Sequence, residues 1–248
     1  IILSLVQGVT EFLPISSSSH LIIISNYLNL ENQSLVVDVS LHIGSFIAVV
    51  VYFKKDIFNF IKNKEFLFKI LISSIPVLLI GFFLVETNLI EKIRNIKIIA
   101  WTTLLFGILL FFSDKFKLEK SIDNNFNYKS AIFIGFFQVL SLIPGVSRSG
   151  IAITAARFLN YKRVDSAKIS FLLSIPTLGA VSIFGLKNII SEENLNFSIF
   201  NLLLIFMSFI FSLITIKYFL KYIKKFSLNV FVVYRIFLGL ILLGILYL

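Results

Sequence analysis

Two short polar segments interrupt an otherwise strongly apolar chain, and the first runs from Gln7 to His20. It reads QGVTEFLPISSSSH and brings a carboxylate, four consecutive hydroxyls and an imidazole close together. Polar and ionisable groups are costly in apolar surroundings unless a partner or a function compensates for them. The segment therefore indicates a reaction centre, in which Glu11 is the carboxylate and His20 the imidazole.

A second polar segment, PGVSRSG, lies in the second half of the chain. Its cation, Arg148, carries a planar guanidinium group that can hold two phosphate oxygens, and Ser147 and Ser149 add hydroxyl donors. Gly145 allows the backbone to turn tightly. The two segments together predict anion chemistry. A structural alternative stays open, in which the serines cap a helix and Arg148 forms an internal ion pair with Glu11.

The composition indicates an integral membrane protein. Of the 248 residues, 58% are hydrophobic and 15% are charged, and the mean hydropathy is +0.96, far above that of soluble domains. The net charge of +10 does not predict a nucleic-acid partner, because the basic residues lie in short loops between apolar runs, where they orient a chain in a bilayer. There is no cysteine, and the two histidines are too few for a zinc cage.

Hydropathy predicts six membrane spans and two interrupted segments. Each span approaches the ~20 residues that cross a bilayer: 34–53, 66–85, 97–113, 164–185, 198–216 and 229–248. Four shorter apolar stretches come in pairs around Pro14 and around Pro144 and Gly145: 1–13 with 20–29, and 130–142 with 150–160. Because a proline breaks a helix, each pair is typical of a re-entrant hairpin made of helix, break and helix.

The two halves of the chain resemble each other at an offset of roughly 130 residues, as expected of repeat-built membrane folds. The matches are Gln7 with Gln138, Val37 and Asp38 with Val164 and Asp165, and Phe106 and Gly107 with Leu238 and Gly239. We therefore predict one all-α transmembrane domain over 1–248, a polytopic helical bundle with repeat one at about 1–122 and repeat two at about 123–248. Three crossings per half make the repeats inverted in topology.

Charge placement predicts the orientation of this bundle. One predicted side carries Lys54, Lys55, Lys62, Lys64, Lys115, Lys117, Lys120, Lys129, Arg157, Lys162, Arg163, Lys217, Lys221, Lys224 and Lys225. The other side has Lys92, Arg94, Lys97 and Lys187, with Glu31, Glu86, Glu91, Glu192 and Glu193 in its loops. Positive residues accumulate in cytoplasmic loops, so the first side is the cytoplasmic one. The first hairpin then enters from outside and the second from the cytoplasm, the breaks meet near the midplane, and the site opens to the outer face.

QGVTEFLPISSSSH and PGVSRSG resemble the two signature motifs of the undecaprenyl-diphosphate phosphatase family, also called bacitracin resistance proteins, and the similarity runs along essentially the whole chain. The resemblance implies an enzyme of the bacterial cytoplasmic membrane. Such an enzyme removes the terminal phosphate from undecaprenyl diphosphate and returns the monophosphate lipid carrier to cell-wall synthesis. It implies as partners the lipid substrate and the surrounding membrane lipid, and it leaves a homodimer open.

The resemblance also assigns residues. The family's paired acidic motif falls on Gln7 and Glu11, its serine segment on Ser16, Ser17 and Ser18, its essential histidine on His20, and its phosphate-binding Ser-Arg-Ser on Ser147, Arg148 and Ser149. The chain departs from the family pattern at Gln7, where many members have Glu, and at Ser19, where Gly is usual. The first departure leaves Glu11 as the carboxylate for a divalent cation, for which we predict Mg²⁺.

Cleavage of a diphosphate needs a nucleophile at the terminal phosphorus and neutralisation of charge on the oxygens. We predict the hydroxyl of Ser17 as the nucleophile, with His20 or Glu11 accepting its proton. Attack by His20 itself and attack by water are the competing hypotheses. Arg148 completes the predicted catalytic set, and the predicted substrate-binding residues are Gln7, Ser16, Ser18, Ser147, Ser149 and Gly145.

Two further residues and one further class of function enter the prediction. His42 lies mid-helix and is interpreted as a packing histidine, and Gln138, the symmetry mate of Gln7, is expected to orient a group of the site. Inverted repeats with broken helices are also the architecture of secondary transporters, so a flippase or carrier for a lipid phosphate or another anion is the alternative. A transporter has no need of the serine, histidine and glutamate beside Arg148.

Overall fold

The computed structural model describes residues 1–27, 35–87, 89–191 and 199–247, and over these ranges the regular structure is helical apart from one bridge between Lys120 and Tyr161. In chain order the helices are α1 (Ile2–Thr10), α2 (Ser17–Tyr27), α3 (Leu35–Tyr52), α4 (Lys54–Lys62), α5 (Lys64–Glu86), α6 (Leu89–Lys92), α7 (Ile96–Asp114), α8 (Ile122–Asn125), α9 (Tyr128–Val139), α10 (Arg148–Phe158), α11 (Arg163–Ser191), α12 (Ile199–Ile223) and α13 (Asn229–Tyr247). The all-α prediction is confirmed over these ranges.

Five helices, α5, α7, α11, α12 and α13, are long and apolar enough to cross a bilayer, which makes the chain a multi-pass membrane protein. They confirm five of the six predicted spans. The sixth prediction, 34–53, falls on α3, which is apolar but shorter, and residue 34 lies outside the described ranges. Of the glutamates expected in outer loops, Glu31, Glu192 and Glu193 also lie outside them. Hydropathy did not predict α4, a short amphipathic helix that joins α3 to α5.

Both predicted helix breaks are present. Helix α1 ends at Thr10, before Pro14, and α2 begins at Ser17. In the second half, α9 is followed by a 3₁₀ turn at Leu140–Leu142, and α10 begins at Arg148. Because the helices end before the two prolines, each break leaves backbone N–H and C=O groups outside the hydrogen-bond pattern of a helix. That each pair returns to its own side of the membrane stays a prediction, as does the division into repeats.

The helices pack in pairs that join the two halves of the chain. Helix α3 packs against α11 and α12, α7 against α13, and α5 against α9. Small residues let α3 and α12 approach closely: a side chain at Gly44 would collide with the backbone of Ile205, and next to it the hydroxyls of Ser45 and Ser208 are 3.2 Å apart. Because of this packing α3 lies beside α1, and residues of both halves of the chain meet at one site.

A buried charged cluster ties four helix ends together at the predicted cytoplasmic side. The carboxylate of Asp114, at the end of α7, accepts hydrogen bonds from Arg163 at 2.7 and 3.0 Å and from the backbone N–H of Leu228 at 3.1 Å. The fully buried Arg157 of α10 lies 3.5 Å from the same carboxylate and donates to the carbonyls of Phe116 and Tyr161. The sequence pattern uses Arg157 and Arg163 to predict orientation and does not predict this cluster.

Candidate active site

A cavity of about 470 Å³ joins a polar region to apolar walls. The polar region is formed by Glu11, Ser16, Ser17, Ser18, His42, Ser141, Ser147, Arg148 and Thr177. The apolar walls come from one face of α5 and one face of α11, with one residue before the second break: Val77, Leu78, Gly81, Phe82, Val85, Leu142, Leu178, Ala180, Val181 and Phe184. Such a cavity suits a ligand with one charged end and one apolar end.

Glu11 is the centre of the polar region. It lies just after α1, and its side chain is about 5% exposed. One carboxylate oxygen, Oε2, accepts hydrogen bonds from Ser17 Oγ at 2.7 Å and from Gln7 Nε2 at 3.0 Å. The other, Oε1, accepts one from Arg148 Nη2 at 2.9 Å. The ion pair considered as a structural alternative is therefore present, and both of its residues line the cavity.

Ser17 and Arg148 occupy equivalent places at the two breaks, since each is the first residue of the second helix of its pair. The residue before each of them, Ser16 or Ser147, has a φ of 72°, a left-handed conformation that turns the chain sharply into the helix. Ser147 also caps its helix, because its Oγ accepts a hydrogen bond from the N–H of Gly150 at 3.1 Å. Two helix N-termini at one cavity favour a negatively charged ligand.

Arg148 keeps donors for such a ligand. Its Nε makes no hydrogen bond to the described residues, and its Nη1 makes one long contact, 3.4 Å from the carbonyl oxygen of Ser170. The hydroxyl hydrogen of Ser17 is meanwhile directed at Glu11, within the 2.6–3.2 Å reach of a general base. The arrangement can therefore hold an anion beside a hydroxyl whose proton already has an acceptor.

Sequence reasoning missed Arg235, a fully buried cation in α13 that holds both breaks. Its guanidinium donates to the carbonyl oxygens of Pro14 at 3.3 Å, Gly145 at 2.8 Å and Val146 at 3.0 Å. It also donates to the carbonyl oxygen of Thr103 at 3.2 Å. An arginine inside an apolar span is itself a signal of function, and it stands in the sequence between apolar residues of α13.

The tight turn predicted at Gly145 is present. Gly145 has a φ of 93°, and a side chain there would collide with Thr102 of α7. Thr102 in turn donates a hydrogen bond from Oγ1 to the carbonyl oxygen of Pro144 at 2.6 Å. The second break is therefore held against α7 from one side and by Arg235 of α13 from the other.

Several residues predicted for the site lie just outside the cavity wall. His20 is absent from the lining: its Nδ1 donates to the carbonyl oxygen of Ser16 at 2.6 Å, and its Nε2 accepts from the hydroxyl of Tyr234 at 2.5 Å. Ser149 donates to the carbonyl oxygen of Leu13 at 2.7 Å and so links the two breaks. Gln7 and Gly145 are likewise absent from the lining. Their functional roles stay predictions.

Two further residues that the sequence singled out, His42 and Gln138, lie differently relative to the cavity. His42 lines the cavity, and its Nδ1 lies 3.1 Å from Gln7 Nε2, so the packing interpretation of this histidine stays a prediction. Gln138 is fully buried, and within the described ranges neither atom of its amide has a hydrogen-bond partner. Of these two residues, His42 lines the cavity and Gln138 does not.

The carboxylate available to the predicted metal is that of Glu11. Over the described ranges no three histidine or acidic residues cluster, so these ranges offer no complete metal cage. Glu11 is the carboxylate that lines the cavity, and its oxygens already accept three hydrogen bonds. Mg²⁺ bound together with substrate phosphates needs only one or two protein carboxylates. Glu11 fits that mode, in which the substrate supplies most of the ligands.

The fold and the site define a multi-pass helical membrane protein with a cavity suited to a lipid that has an anionic head group. A family model described as bacitracin resistance protein BacA matches residues 1–241, and the chain belongs to this family.

Curated relatives match along nearly their whole length, and each is named undecaprenyl-diphosphatase. The relative from Pelagibacter ubique is 50% identical over 100% of this chain and 96% of its own length. The relative from Saccharophagus degradans is 40% identical over 96% of this chain and 94% of its own, and the relative from Jannaschia sp. is 37% identical over 99% and 97%.

Proposed function

We propose that this chain is an integral-membrane phosphatase that hydrolyses undecaprenyl diphosphate to undecaprenyl phosphate and inorganic phosphate. The observation that carries the proposal is the group formed by Ser17, Glu11 and Arg148 at the polar end of a cavity with apolar walls. The names of the relatives support the same substrate. The reaction returns the lipid carrier to cell-wall synthesis, and bacitracin resistance is the property after which the family is named.

In the proposed mechanism the diphosphate lies against the N-termini of α2 and α10, and the polyprenyl chain extends between α5 and α11. Ser17 Oγ attacks the terminal phosphorus while Glu11 Oε2 accepts its proton, a transfer that their 2.7 Å contact favours. Arg148 neutralises charge on the transferring group. The bond to the bridging oxygen breaks, undecaprenyl phosphate leaves, and water releases inorganic phosphate from the serine.

The geometry supports Ser17 over His20 as the nucleophile. Both ring nitrogens of His20 are engaged, one by a carbonyl and one by Tyr234, and the ring is outside the cavity. Ser17 is inside it and already bonded to an acceptor. Glu11 is for the same reason favoured over His20 as the base. His20 then acts by fixing the carbonyl of Ser16 at the start of α2.

A divalent cation remains part of the proposal. Glu11 would hold Mg²⁺ together with oxygens of the diphosphate, and a bound Mg²⁺ would neutralise charge on those oxygens. The residues of the chain meanwhile bind and orient the head group and accept the proton of Ser17. Ser16, Ser18 and Ser147 line the cavity and provide hydroxyls to the same head group.

We further propose two inverted repeats, each opening with a re-entrant pair of helices, in the bacterial cytoplasmic membrane. The matching φ of Ser16 and Ser147, each one residue before its helix, supports the repeat. The cavity walls support an outer opening. The residues of these walls lie in the halves of α5 and α11 that are farther from the basic helix starts at Lys64 and Arg163. They are found between Val77 and Val85 in α5 and between Leu178 and Phe184 in α11.

The decisive experiment measures phosphate released from undecaprenyl diphosphate by the purified protein in detergent. We expect turnover by the parent protein and none by Ser17→Ala, which should still bind the lipid. Ser141→Ala, at a hydroxyl that lines the cavity without a part in the mechanism, is the matched control. No release by the parent, together with transfer of the intact lipid between leaflets of a vesicle, would favour the transporter.

A further inference from the structure

His42 reaches the centre of the site through one intermediate residue. It lies on α3, its ring lines the cavity, and its Nδ1 is 3.1 Å from Nε2 of Gln7. Gln7 is fully buried, and the same Nε2 is 3.0 Å from Glu11 Oε2. Glu11 Oε2 in turn accepts the hydroxyl hydrogen of Ser17. The four side chains form one continuous series of hydrogen bonds from α3 to the start of α2.

The chemistry of an amide fixes the direction of these bonds. Nε2 of Gln7 carries two hydrogens and accepts none, so one hydrogen goes to the Glu11 carboxylate and the other to Nδ1 of His42. Nδ1 therefore presents a lone pair, and the ring proton is on Nε2. The opposite amide orientation would set Oε1 of Gln7 against the carboxylate of Glu11, two acceptors facing each other.

The orientation of the Gln7 amide depends on His42, because within the described ranges His42 is its one polar partner besides Glu11. Within the described ranges its Oε1 has no hydrogen-bond partner although it is buried. The two bonds from Nε2 are thus the polar restraints on the amide, and one of them ends at His42. Without an acceptor at His42, the amide loses the restraint that aims its N–H at Glu11.

We propose that His42 is a positioning residue for catalysis: its Nδ1 orients the amide of Gln7, and Gln7 keeps the Glu11 carboxylate directed at Ser17. This inference rests on the proposed function. It assigns a role to Gln7, which replaces the usual second carboxylate of the motif. An amide at this position brings a donor to Glu11 without bringing a second negative charge, and the donor needs an acceptor behind it.

The test replaces His42 by Asn or by Gln, each of which keeps the hydrogen-bonding role of one ring nitrogen. In Asn the side-chain oxygen is as many bonds from Cα as Nδ1 of His, and in Gln the amide nitrogen is as many bonds from Cα as Nε2. We expect His42→Gln to lower kcat about 10- to 100-fold with KM within about 3-fold of the parent, the size typical of residues that orient a reacting group from behind. His42→Asn should recover most of kcat.

A double-mutant cycle with Gln7→Leu tests whether His42 acts through Gln7. We expect His42→Gln to cost nothing further in the Gln7→Leu protein, because the residue that it orients is gone. Ile47→Leu, at an exposed position of the same helix, is the matched control and should leave turnover unchanged. All proteins are compared by thermal unfolding, so that a folding defect is separated from a loss of kcat.

Two results would overturn the inference while leaving the phosphatase proposal intact: an unchanged kcat in His42→Gln, or an equal loss from His42→Gln with and without Gln7. A kcat kept in His42→Gln and lost in His42→Asn would mean that Nε2 of His42 contacts the substrate directly. Absence of turnover in the parent protein is the separate result that would refute the phosphatase proposal itself.

Discussion

Arg148 Nη2 lies 2.9 Å from Glu11 Oε1, a contact that joins residues 137 positions apart and brings the two helix breaks to one cavity. The same pair can stabilise the fold and serve catalysis, because the guanidinium keeps further donors. Replacement of Arg148 should therefore lower both the stability of the fold and the catalytic activity, to different extents.

We expect Arg148→Ala to lower kcat/KM by at least about 10³-fold, because it removes the charge that faces the transferring phosphate. Arg148→Lys should recover less than about a tenth of the lost activity, since a point charge does not reproduce the planar fork. Rates of phosphate release at saturating and at limiting lipid concentrations give kcat and kcat/KM. Activity of Arg148→Ala within a few-fold of the parent would leave the ion pair as a purely structural contact.

Trapping of phosphate on the protein separates the nucleophiles. With Ser17 as nucleophile, a short incubation with substrate labelled in the terminal phosphate should leave acid-stable label on the protein, and Ser17→Ala should remove it. His20→Ala should keep some of that label, because the ring orients Ser16 and does not react. Label that is acid-labile and lost in His20→Ala would instead identify the histidine as the nucleophile.

Removal of divalent cations tests the predicted Mg²⁺. A chelator should reduce phosphate release, and added Mg²⁺ should restore it. Glu11→Asp, which shortens the carboxylate arm, should need a higher Mg²⁺ concentration for half-maximal activity than the parent protein. Turnover that is indifferent to the chelator in both proteins would contradict the cation prediction and would leave Arg148 and the helix N-termini to neutralise the phosphate.

Arg235 should matter most for stability. Arg235→Leu leaves the carbonyls of Pro14, Gly145 and Val146 without their donor inside the bundle. A buried unpaired acceptor costs about 1–3 kcal/mol, so we expect a loss of at least about 3 kcal/mol in the free energy of unfolding. Thermal unfolding in detergent measures this change, with Arg94→Leu, at an exposed arginine, as the control. An equal melting temperature for both variants is the contrary result.

Single cysteines report the orientation, because the chain contains none of its own. In right-side-out membrane vesicles, a cysteine at Thr87 should react with an impermeant thiol reagent, and one at Asn124 should react only after permeabilisation. Both positions are exposed. The reverse pattern, or equal reaction before permeabilisation, would refute an outer location for the end of α5.

Local sequence patterns predicted the membrane-spanning helices and the two motifs. The relative positions of side chains from different helices depend on tertiary contacts, which local patterns do not predict. Apolar runs place the spans because a bilayer demands length and hydropathy, and Pro14 and Pro144 mark the breaks because proline ends a helix locally. The position of His42 depends on how α3 packs beside α1. No pattern within α3 indicates which face meets Gln7, so the contact between His42 and Gln7 could not be predicted from the sequence.

His20 and Arg235 illustrate the same limit. The histidine belongs to the first motif, yet its ring turns towards Tyr234, which is 214 residues away in the sequence. Arg235 reaches Pro14 across 221 residues. A motif can tell which residues share a segment, but the direction of each side chain depends on helices that a local pattern does not place.

The contacts of Arg235 also set an order of events during biosynthesis. Both breaks precede α13 in the chain, but the residue that holds the two together, Arg235, lies in α13. A nascent chain can therefore insert the helices of both breaks before Arg235 is available to bond to them. We expect the two breaks to be held together only after α13 has entered the membrane, so the enzyme should not work before that step.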